Sequence, residues 1–449
     1  MNYPFWIVPH IGSGWVIGLI AIFHIMISHF AVGGGLYLPL AERKALRENR
    51  RDWLETLRGH SKFFLILTGV FGAVSGVGIW FSIGLANPEA TSTLIHNFVF
   101  AWAIEWVFFM IELSTAAVYY YTWGRIPHEL HIKVGYVYAV TSLFTLIIIN
   151  GILAFMLTPS DAWLAVAGTG AEASRFWQAF FNPTYWPSLV LRTLVCISLA
   201  GIWALVTCSR IDGAKNPSLK TSLVRWSAKW LIPSYLLLPF ALAWYLWQVP
   251  ESQRFLLQLG MSTAAPGMFT QLTRMSLLIV LSSVTLVGVV YLLAWRTPEK
   301  FRFSQAVVVL FLGLVATAAG EYSREMLRKP YVVGQHMFSN GVRRGDVDKF
   351  NQEGYLTHSP WVTTTSSTLD QGQIMFRGQC MACHTADSYR SMRGLLGERN
   401  RDSIASLLQI LHDYKPDSPY RAYMPPLVGT ANEVSALSDY LATLGSPAK

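Results

Sequence analysis

Charged residues are scarce in this 449-residue chain. Asp, Glu, Lys and Arg together make up 14% of it, whereas hydrophobic residues make up 52%. Soluble globular domains carry about a quarter charged residues. The deficit falls in uncharged stretches of about twenty residues, which are long enough to cross a bilayer as helices. The composition therefore excludes a soluble protein and predicts an integral membrane protein.

The N-terminus lacks the features of a cleaved signal peptide. Its first residues, MNYPFW, include no basic residue, and no small-residue cleavage site precedes the first apolar run. We interpret that run as a retained span, the first of eight predicted transmembrane helices. The predicted spans cover residues 14–40, 63–86, 98–123, 135–157, 187–207, 230–248, 274–295 and 304–324.

Lys and Arg are nearly absent from alternate loops. Residues 87–97 contain none, 159–186 only Arg175 and 250–273 only Arg254, whereas the loops after the first, third, fifth and seventh spans are basic. By the positive-inside rule the basic loops are cytoplasmic, and the even number of spans puts both termini in the periplasm of a bacterial inner-membrane protein. Cytoplasmic Lys and Arg account for the net charge of +9, so no nucleic-acid partner is predicted.

Cysteine is rare, and its spacing carries the strongest local signal. Cys196 and Cys208 stand alone, whereas Cys380, Cys383 and His384 form a C-x-x-C-H motif. In such a motif two thiols form thioethers with haem vinyl groups, and the His is the proximal iron ligand. A zinc site or a redox dithiol is the alternative for a bare C-x-x-C.

The C-terminal region resembles a small class I cytochrome c. Met424, about forty residues after the motif, lies where that family presents its distal thioether ligand. We predict a membrane haem-binding domain at 1–331, a linker at 332–365 and a cytochrome c domain at 366–449, with helices near 366–380, 401–413 and 431–444. The predicted fold is all-α: a polytopic transmembrane helical bundle with a small all-α cytochrome c domain. Haem c is attached outside the cytoplasmic membrane, which agrees with a periplasmic C-terminus.

Several ionisable residues fall inside predicted spans. A charge in hydrocarbon costs at least a few kcal/mol, so each is a functional candidate. Given the predicted topology and a rise of 1.5 Å per residue, most of them lie in the outer half of the bilayer, where they can share one site. The alternative is a set of interhelical hydrogen bonds and ion pairs without a cofactor. The candidates are His24, Glu105, Glu112, Arg192, Arg274, Glu325 and Arg328; His10, His29, His96 and His128 are interpreted as structural or interfacial.

Residues 1 to about 331 resemble the large haem-bearing subunit of cytochrome bd oxidases. The resemblance is carried by the segments around His24, around Glu105 and Glu112, and around Asn150-Gly151 ahead of Thr158-Pro159. It is also carried by Glu325-Met-Leu-Arg328-Lys-Pro330-Tyr331, which is similar to that family's Glu-x-x-Arg-Gln-Pro-Trp segment.

The resemblance implies two non-covalent haems, b and/or d. In that family the counterparts of His24, Glu105 and Glu325 hold the two high-spin haems where oxygen is reduced, and the counterpart of Glu112 is linked to proton delivery. It therefore implies catalytic roles for Glu105, Glu112 and Glu325, iron ligation by His24, Glu105 and Glu325, and a partner similar to subunit II. We expect Arg192, Arg274 and Arg328 to contribute to the cofactor site.

Three departures from the family bear on its electron donor. Arg192 stands where the family has the His of its low-spin b haem, and Met275 is displaced by one position from the opposing Met. Only about two dozen residues separate the sixth and seventh predicted spans, so the long quinol-binding loop is missing. A ninth span is absent, and the cytochrome c domain stands in its place. Quinol oxidation in this subunit is therefore not expected.

Three functions are compatible with these features. The first is an oxidoreductase that takes electrons from a periplasmic cytochrome c and reduces oxygen at the membrane haem pair. The second is an electron-relay subunit between a quinol site on a partner and external cytochromes, without gas chemistry. The third keeps the gas site but reduces nitric oxide. An open iron position separates the first and third from the second.

The single C-x-x-C-H motif predicts one covalent haem per chain. Haem-stained denaturing gels should show a band near the chain mass of 50.3 kDa. Cys380→Ala should abolish the stain because one thioether is lost, whereas Cys196→Ala should retain it. An unstained wild-type chain would contradict the assignment.

Overall fold

The computed structural model describes residues 6–251, 253–254, 268–359 and 368–445. It confirms the predicted all-α membrane fold with eight helices long and apolar enough to span a bilayer. In chain order they are α1 (Ser13–Arg47), α2 (Arg51–Ala86), α3 (Pro88–Tyr121), α4 (His128–Leu157), α5 (Tyr185–Cys208), α6 (Pro217–Gln248), α7 (Gln271–Arg296) and α8 (Phe303–Arg328).

Several helices extend well beyond their apolar cores. α2 begins twelve residues before the predicted span, and its polar first half is amphipathic, with Trp53, Leu57 and Phe64 buried. Hydropathy marks the part of a helix that lies in hydrocarbon, whereas packing against neighbouring helices decides where the helix ends. Among the described residues the number of spans is therefore the predicted eight, although several predicted spans are too short at their ends.

The bundle has two chemically different ends. The turns 48–50, 122–127, 209–216 and 297–302 lie at one end, which we call the basic face because the basic loops predicted to be cytoplasmic lie there. α8 begins at that end and finishes at the opposite one, which we call the domain face because the C-terminal region follows from it. Most of the connection between α6 and α7 lies outside the described residues. The predicted absence of the quinol-binding loop therefore falls outside them too.

The segment predicted as a linker is structured over its described part. Residues 331–358 form a hairpin of β1 (Tyr331–Val333) and β2 (Met337–Phe338), followed by helices α9 (Val347–Glu353) and α10 (Tyr355–His358). The described part of the linker predicted at 332–365 is ordered because its apolar side chains are buried on two sides. Val332, Val333 and Met337 pack with the membrane bundle, and Phe338, Val342, Tyr355 and Leu356 lie in the core of the C-terminal domain. Residues 360–367 lie outside the described residues.

This connector, residues 331–358, is fastened at both sides. Towards the bundle, the Gly334 amide donates to the Met156 carbonyl at the end of α4 (2.9 Å), and the Asn87 side chain donates to the Ser339 carbonyl (3.2 Å). Towards the C-terminal domain, the Glu433 carboxylate accepts the amides of Tyr355 (3.0 Å) and Leu356 (2.9 Å). These hydrogen bonds hold the C-terminal domain against the domain face of the bundle.

Within residues 368–445, three short helices lie near the predicted positions and a fourth, Met392–Leu396, was not predicted. They are α11 (Thr368–Gln379), α12 (Met392–Leu396), α13 (Arg401–Asp413) and α14 (Ala431–Gly445). α11 and α14 cross closely at Gly372, where any Cβ would overlap the carbonyl of Ala436. Phe376 and Leu437 lie in the common core.

Glu433 is expected to control the stability of the connector. The residue is 8% exposed and its carboxylate also accepts the Thr430 amide (2.8 Å), so Glu433→Ala leaves three backbone donors without their charged acceptor. The cost should be about 3 kcal/mol. Limited proteolysis of membranes should show faster cleavage within residues 331–358.

The matched control is Glu398→Ala, since Glu398 is exposed on the same domain. Equal protease resistance of Glu433→Ala and wild type would contradict this account of the connector.

Candidate functional site

The C-x-x-C-H motif forms a tight turn at the end of α11. The Cys383 and His384 amides both donate to the Cys380 carbonyl, at 3.1 and 3.0 Å. His384 Nδ1 lies 3.1 Å from the Arg390 carbonyl oxygen, which can only accept, so Nδ1 carries the proton and Nε2 is left with a lone pair. Burial lowers the pKa of His384, which favours the neutral imidazole that iron requires. These residues fit a covalent haem.

The loop with Met424 is held by its backbone. The Met424 amide donates to the Tyr420 carbonyl (2.8 Å), and the Tyr414 hydroxyl donates to the Met424 carbonyl (3.1 Å). The Met424 side chain is half-buried. Its role as distal ligand stays a prediction.

The motif lies against the membrane bundle. The Tyr389 amide donates to the His10 carbonyl (3.2 Å), and the Tyr389 ring meets Trp15 of α1 edge to face at 5.6 Å. Lys329, one residue beyond α8, places its Nζ 3.5 Å from Cys383 Sγ and 3.3 Å from Glu325 Oε1. One buried lysine thus touches both the predicted haem c attachment site and a predicted ligand of a membrane haem.

His24 of α1 is hydrogen-bonded through one ring nitrogen. The Ser75 hydroxyl of α2 lies 2.6 Å from the Phe71 carbonyl, to which it can donate, and 3.0 Å from His24 Nδ1. With its proton so used, Ser75 accepts from Nδ1–H, and the Nε2 lone pair stays available for a metal. Gly76 leaves room for the ring, because a Cβ there would lie 3.3 Å from His24 Cε1.

Glu105 and Glu112 lie on one face of α3, two turns apart. Glu112 is buried and accepts a hydrogen bond from the Thr145 hydroxyl of α4, whereas Glu105 is half-buried. The two carboxyl groups interact electrostatically. Glu112, with its Thr145 hydrogen bond, is therefore suited to holding or passing a proton, and Glu105 lies two turns away on the same face.

The end of α8 carries two carboxylates that form three ion pairs with cations. Glu325 pairs with Arg328 and Lys329, and Glu321 pairs with Arg324, whose Nε lies 2.8 Å from Glu321 Oε2. Sequence reasoning missed Glu321, Arg324 and Lys329. The signal was present, since Glu-x-x-Arg occurs twice in succession, four residues apart.

Arg192 of α5 belongs to this charged cluster. It interacts electrostatically with Glu321 and Arg324, and His29 of α1 interacts with Arg192 and Glu321. His29, predicted to be structural, is buried among these groups. The described residues thus place the half-buried Arg192, whose Nε is buried, within an ion cluster.

Three buried guanidinium atoms of this region have no hydrogen-bond partner among the described residues: Arg192 Nε, Arg324 Nη1 and Arg328 Nε. Buried donors are normally paired. Carboxylates such as haem propionates would satisfy them. Together with the free Nε2 of His24 and with Glu325, whose side chain is 35% exposed, the residues fit non-covalent haem.

The remaining candidates lie elsewhere. Arg274 is exposed on α7, and Met275 beside it is half-buried, so the structure does not bring Arg274 into the buried cluster. His96 is exposed and hydrogen-bonded within its own helix (2.8 Å to the Ser92 carbonyl). Cys196 and Cys208 are buried free thiols in α5.

The membrane region matches a known protein family. The family described as cytochrome bd terminal oxidase subunit I matches residues 13–238, which is half of the chain and includes His24, Glu105, Glu112 and Arg192. The chain is also similar to the solved bd oxidase from Geobacillus thermodenitrificans, with a TM-score of 0.60 and 16% identity over 81% of this chain and 93% of that one. At this identity the likeness shows the fold alone. No curated protein matches the sequence.

The ligand assignment predicts separate losses of haem. His24→Ala and Glu325→Ala should each remove about one acid-extractable haem per chain, because each deletes an iron ligand, while the haem c stain stays unchanged. Pyridine haemochrome analysis of the purified protein measures both. His96→Ala is the matched control and should keep every haem. Full haem content and carbon monoxide binding in both ligand variants would contradict the assignment.

Proposed function

Since the chain belongs to the cytochrome bd terminal oxidase subunit I family, we propose that it reduces oxygen at a membrane haem pair with electrons that arrive through a covalent haem c. The family and the eight-span fold make it a multi-pass inner-membrane respiratory oxidoreductase, as the sequence resemblance predicted. Family membership also supports haems b and/or d, two in number, and a partner similar to subunit II.

The position of Lys329 supports electron transfer through the C-terminal domain. Its Nζ lies within 3.5 Å of both Cys383 Sγ and Glu325 Oε1, so the attachment site of haem c adjoins a ligand of the membrane haem pair. The contacts of Tyr389 with His10 and Trp15 support this arrangement. Electron transfer requires a short distance between donor and acceptor cofactors. The contact between the C-terminal domain and the end of α8 would provide such a distance without a diffusing carrier.

The chain's own residues hold the cofactors and screen their charge. His24, Glu105 and Glu325 would bind iron from α1, α3 and α8, and Arg192, Arg324 and Arg328 would pair with propionates. When bound, the haems supply one-electron transfer and the reduction of oxygen. Glu112 would hold or pass a proton near Glu105.

The donor we propose is a periplasmic cytochrome c rather than quinol. Arg192 cannot ligate iron, so the low-spin haem that takes electrons from quinol in the related family has lost its ligand. The basic loops favour a periplasmic domain face, where soluble cytochromes would reach it.

One helix of the bundle, α6, exposes an apolar surface to the membrane. α6 exposes large apolar side chains, including Phe240 (73% exposed) and Trp247 (76% exposed). Such a face must be covered by lipid or by another membrane chain. We assign it to lipid and a subunit II-like partner.

Loss of haem c tests the proposal. Cys383→Ala should abolish oxygen consumption driven by a reduced c-type cytochrome, because the electron acceptor of that cytochrome is removed. After dithionite reduction, the same variant should still give the carbon monoxide difference spectrum of the membrane haems. Oxygen electrode rates and spectra of one preparation provide both readings.

Cys208→Ala, a buried thiol on the basic side of α5, is the control and should leave both readings unchanged. Undiminished oxygen consumption in Cys383→Ala would overturn electron transfer through haem c. Absence of carbon monoxide binding in the wild type would favour the electron-relay function.

A further inference from the structure

A groove at the basic face lies at the opposite end of the bundle from the haem c domain. It lies between the end of α1 and the start of α6 and has a volume of about 320 Å³. Three cations and one carboxylate line it, so its net charge is positive. The lining residues are Leu40, Arg43, Lys44, Arg47, Glu48 and Trp226.

The lysine of the groove is fixed by aromatic rings. The Lys44 Nζ atom lies 5.6 Å from the ring centroid of Trp226 and 5.7 Å from that of Trp53, and it also pairs with Glu48. Trp53 is fully buried and donates its indole N–H to the Ser222 hydroxyl (2.9 Å). Cation–π contacts and the ion pair therefore hold Lys44 in place at the side of the groove.

The two arginines of the groove lack an acidic partner. Arg43 and Arg47 are exposed and lie one turn apart on the same face of α1, and among the described residues neither forms an ion pair. The next two carboxylates along the chain are already paired. Glu48 pairs with the lysine, and Asp52 accepts from Arg50 through both of its oxygens (2.9 and 2.7 Å). Two guanidinium groups therefore line the groove without a counter-charge.

The surface becomes apolar directly beneath these charges. On α1, Leu40 lies seven residues before Arg47, or about 10.5 Å deeper on nearly the same face. On α6, Trp226 is followed on the same face, seven and eleven residues deeper, by the exposed Pro233 and by Leu237, which is 51% exposed. The order from the basic face inward is thus cation, indole and aliphatic side chain.

This order matches the groups of a phospholipid. Guanidinium groups bind phosphate oxygens through paired hydrogen bonds, indole rings lie at the membrane interface, and aliphatic side chains pack against acyl chains. A soluble phosphate compound would use the arginines but would leave the apolar surface beneath them to other lipids. The positive-inside rule places the groove in the cytoplasmic leaflet, which is where anionic lipids attract basic segments near membrane helices.

We propose that the groove binds the phosphate of one anionic phospholipid, with Arg43 and Arg47 as its ligands. The acyl chains lie against Leu40 and along the Pro233–Leu237 surface of α6. The bound lipid joins the end of α1 to the start of α6. This site does not depend on the proposed function, because no electron or proton passes through it.

Lipid titration followed by native mass spectrometry tests the site. The purified holoprotein should retain one more molecule of phosphatidylglycerol than of phosphatidylcholine per chain. In the double variant Arg43→Gln/Arg47→Gln the affinity for that lipid should fall about fivefold for each arginine, because each contributes about 1 kcal/mol.

The matched control is Arg51→Gln/Arg58→Gln. It removes the same charge from two exposed arginines of α2 that do not line the groove, so the additional phosphatidylglycerol should stay bound. An equal loss in both double variants would show that general surface charge attracts the lipid and would overturn the site. Wild-type affinity in Arg43→Gln/Arg47→Gln would overturn it as well.

Two further measurements use the wild-type protein alone and cover the case in which the double variant fails to assemble. Equal retention of phosphatidylglycerol and phosphatidylcholine would contradict selection of an anionic headgroup. Inorganic phosphate at the concentration of the lipid should not displace phosphatidylglycerol, because it gains nothing from the apolar surface. Displacement would assign the groove to a soluble phosphate compound and overturn the lipid assignment.

Discussion

Charge compensation in a medium of low dielectric constant is the constraint on which this structure depends. Each ionised group inside a bilayer costs at least a few kcal/mol unless a partner or a cofactor neutralises it. α8 meets this requirement with Glu321–Arg324 and with Glu325 between Arg328 and Lys329. The three cations of this end already outnumber its two carboxylates, and Arg192 adds a further positive charge; this excess matches a site for anionic haem propionates.

The same charges explain how the C-terminal domain is placed. Lys329 follows α8 directly and points its ammonium group at both Glu325 and Cys383. Arg390 contacts Met326 of α8 (3.8 Å from Nη2 to Sδ), and the connector is clamped by Glu433. A domain joined by a free linker would sample many positions. Here the polar end of the last span becomes part of the domain interface.

The sequence predicts the fold better than it predicts the site. Apolar runs give the eight spans because burial in hydrocarbon is a local property of composition. Composition does not predict the ordered structure of the connector at 331–358, because that order comes from long-range contacts such as that between Glu433 and Leu356. Arg274 was expected in the site but is exposed, since depth in the membrane does not determine which way a helix face turns.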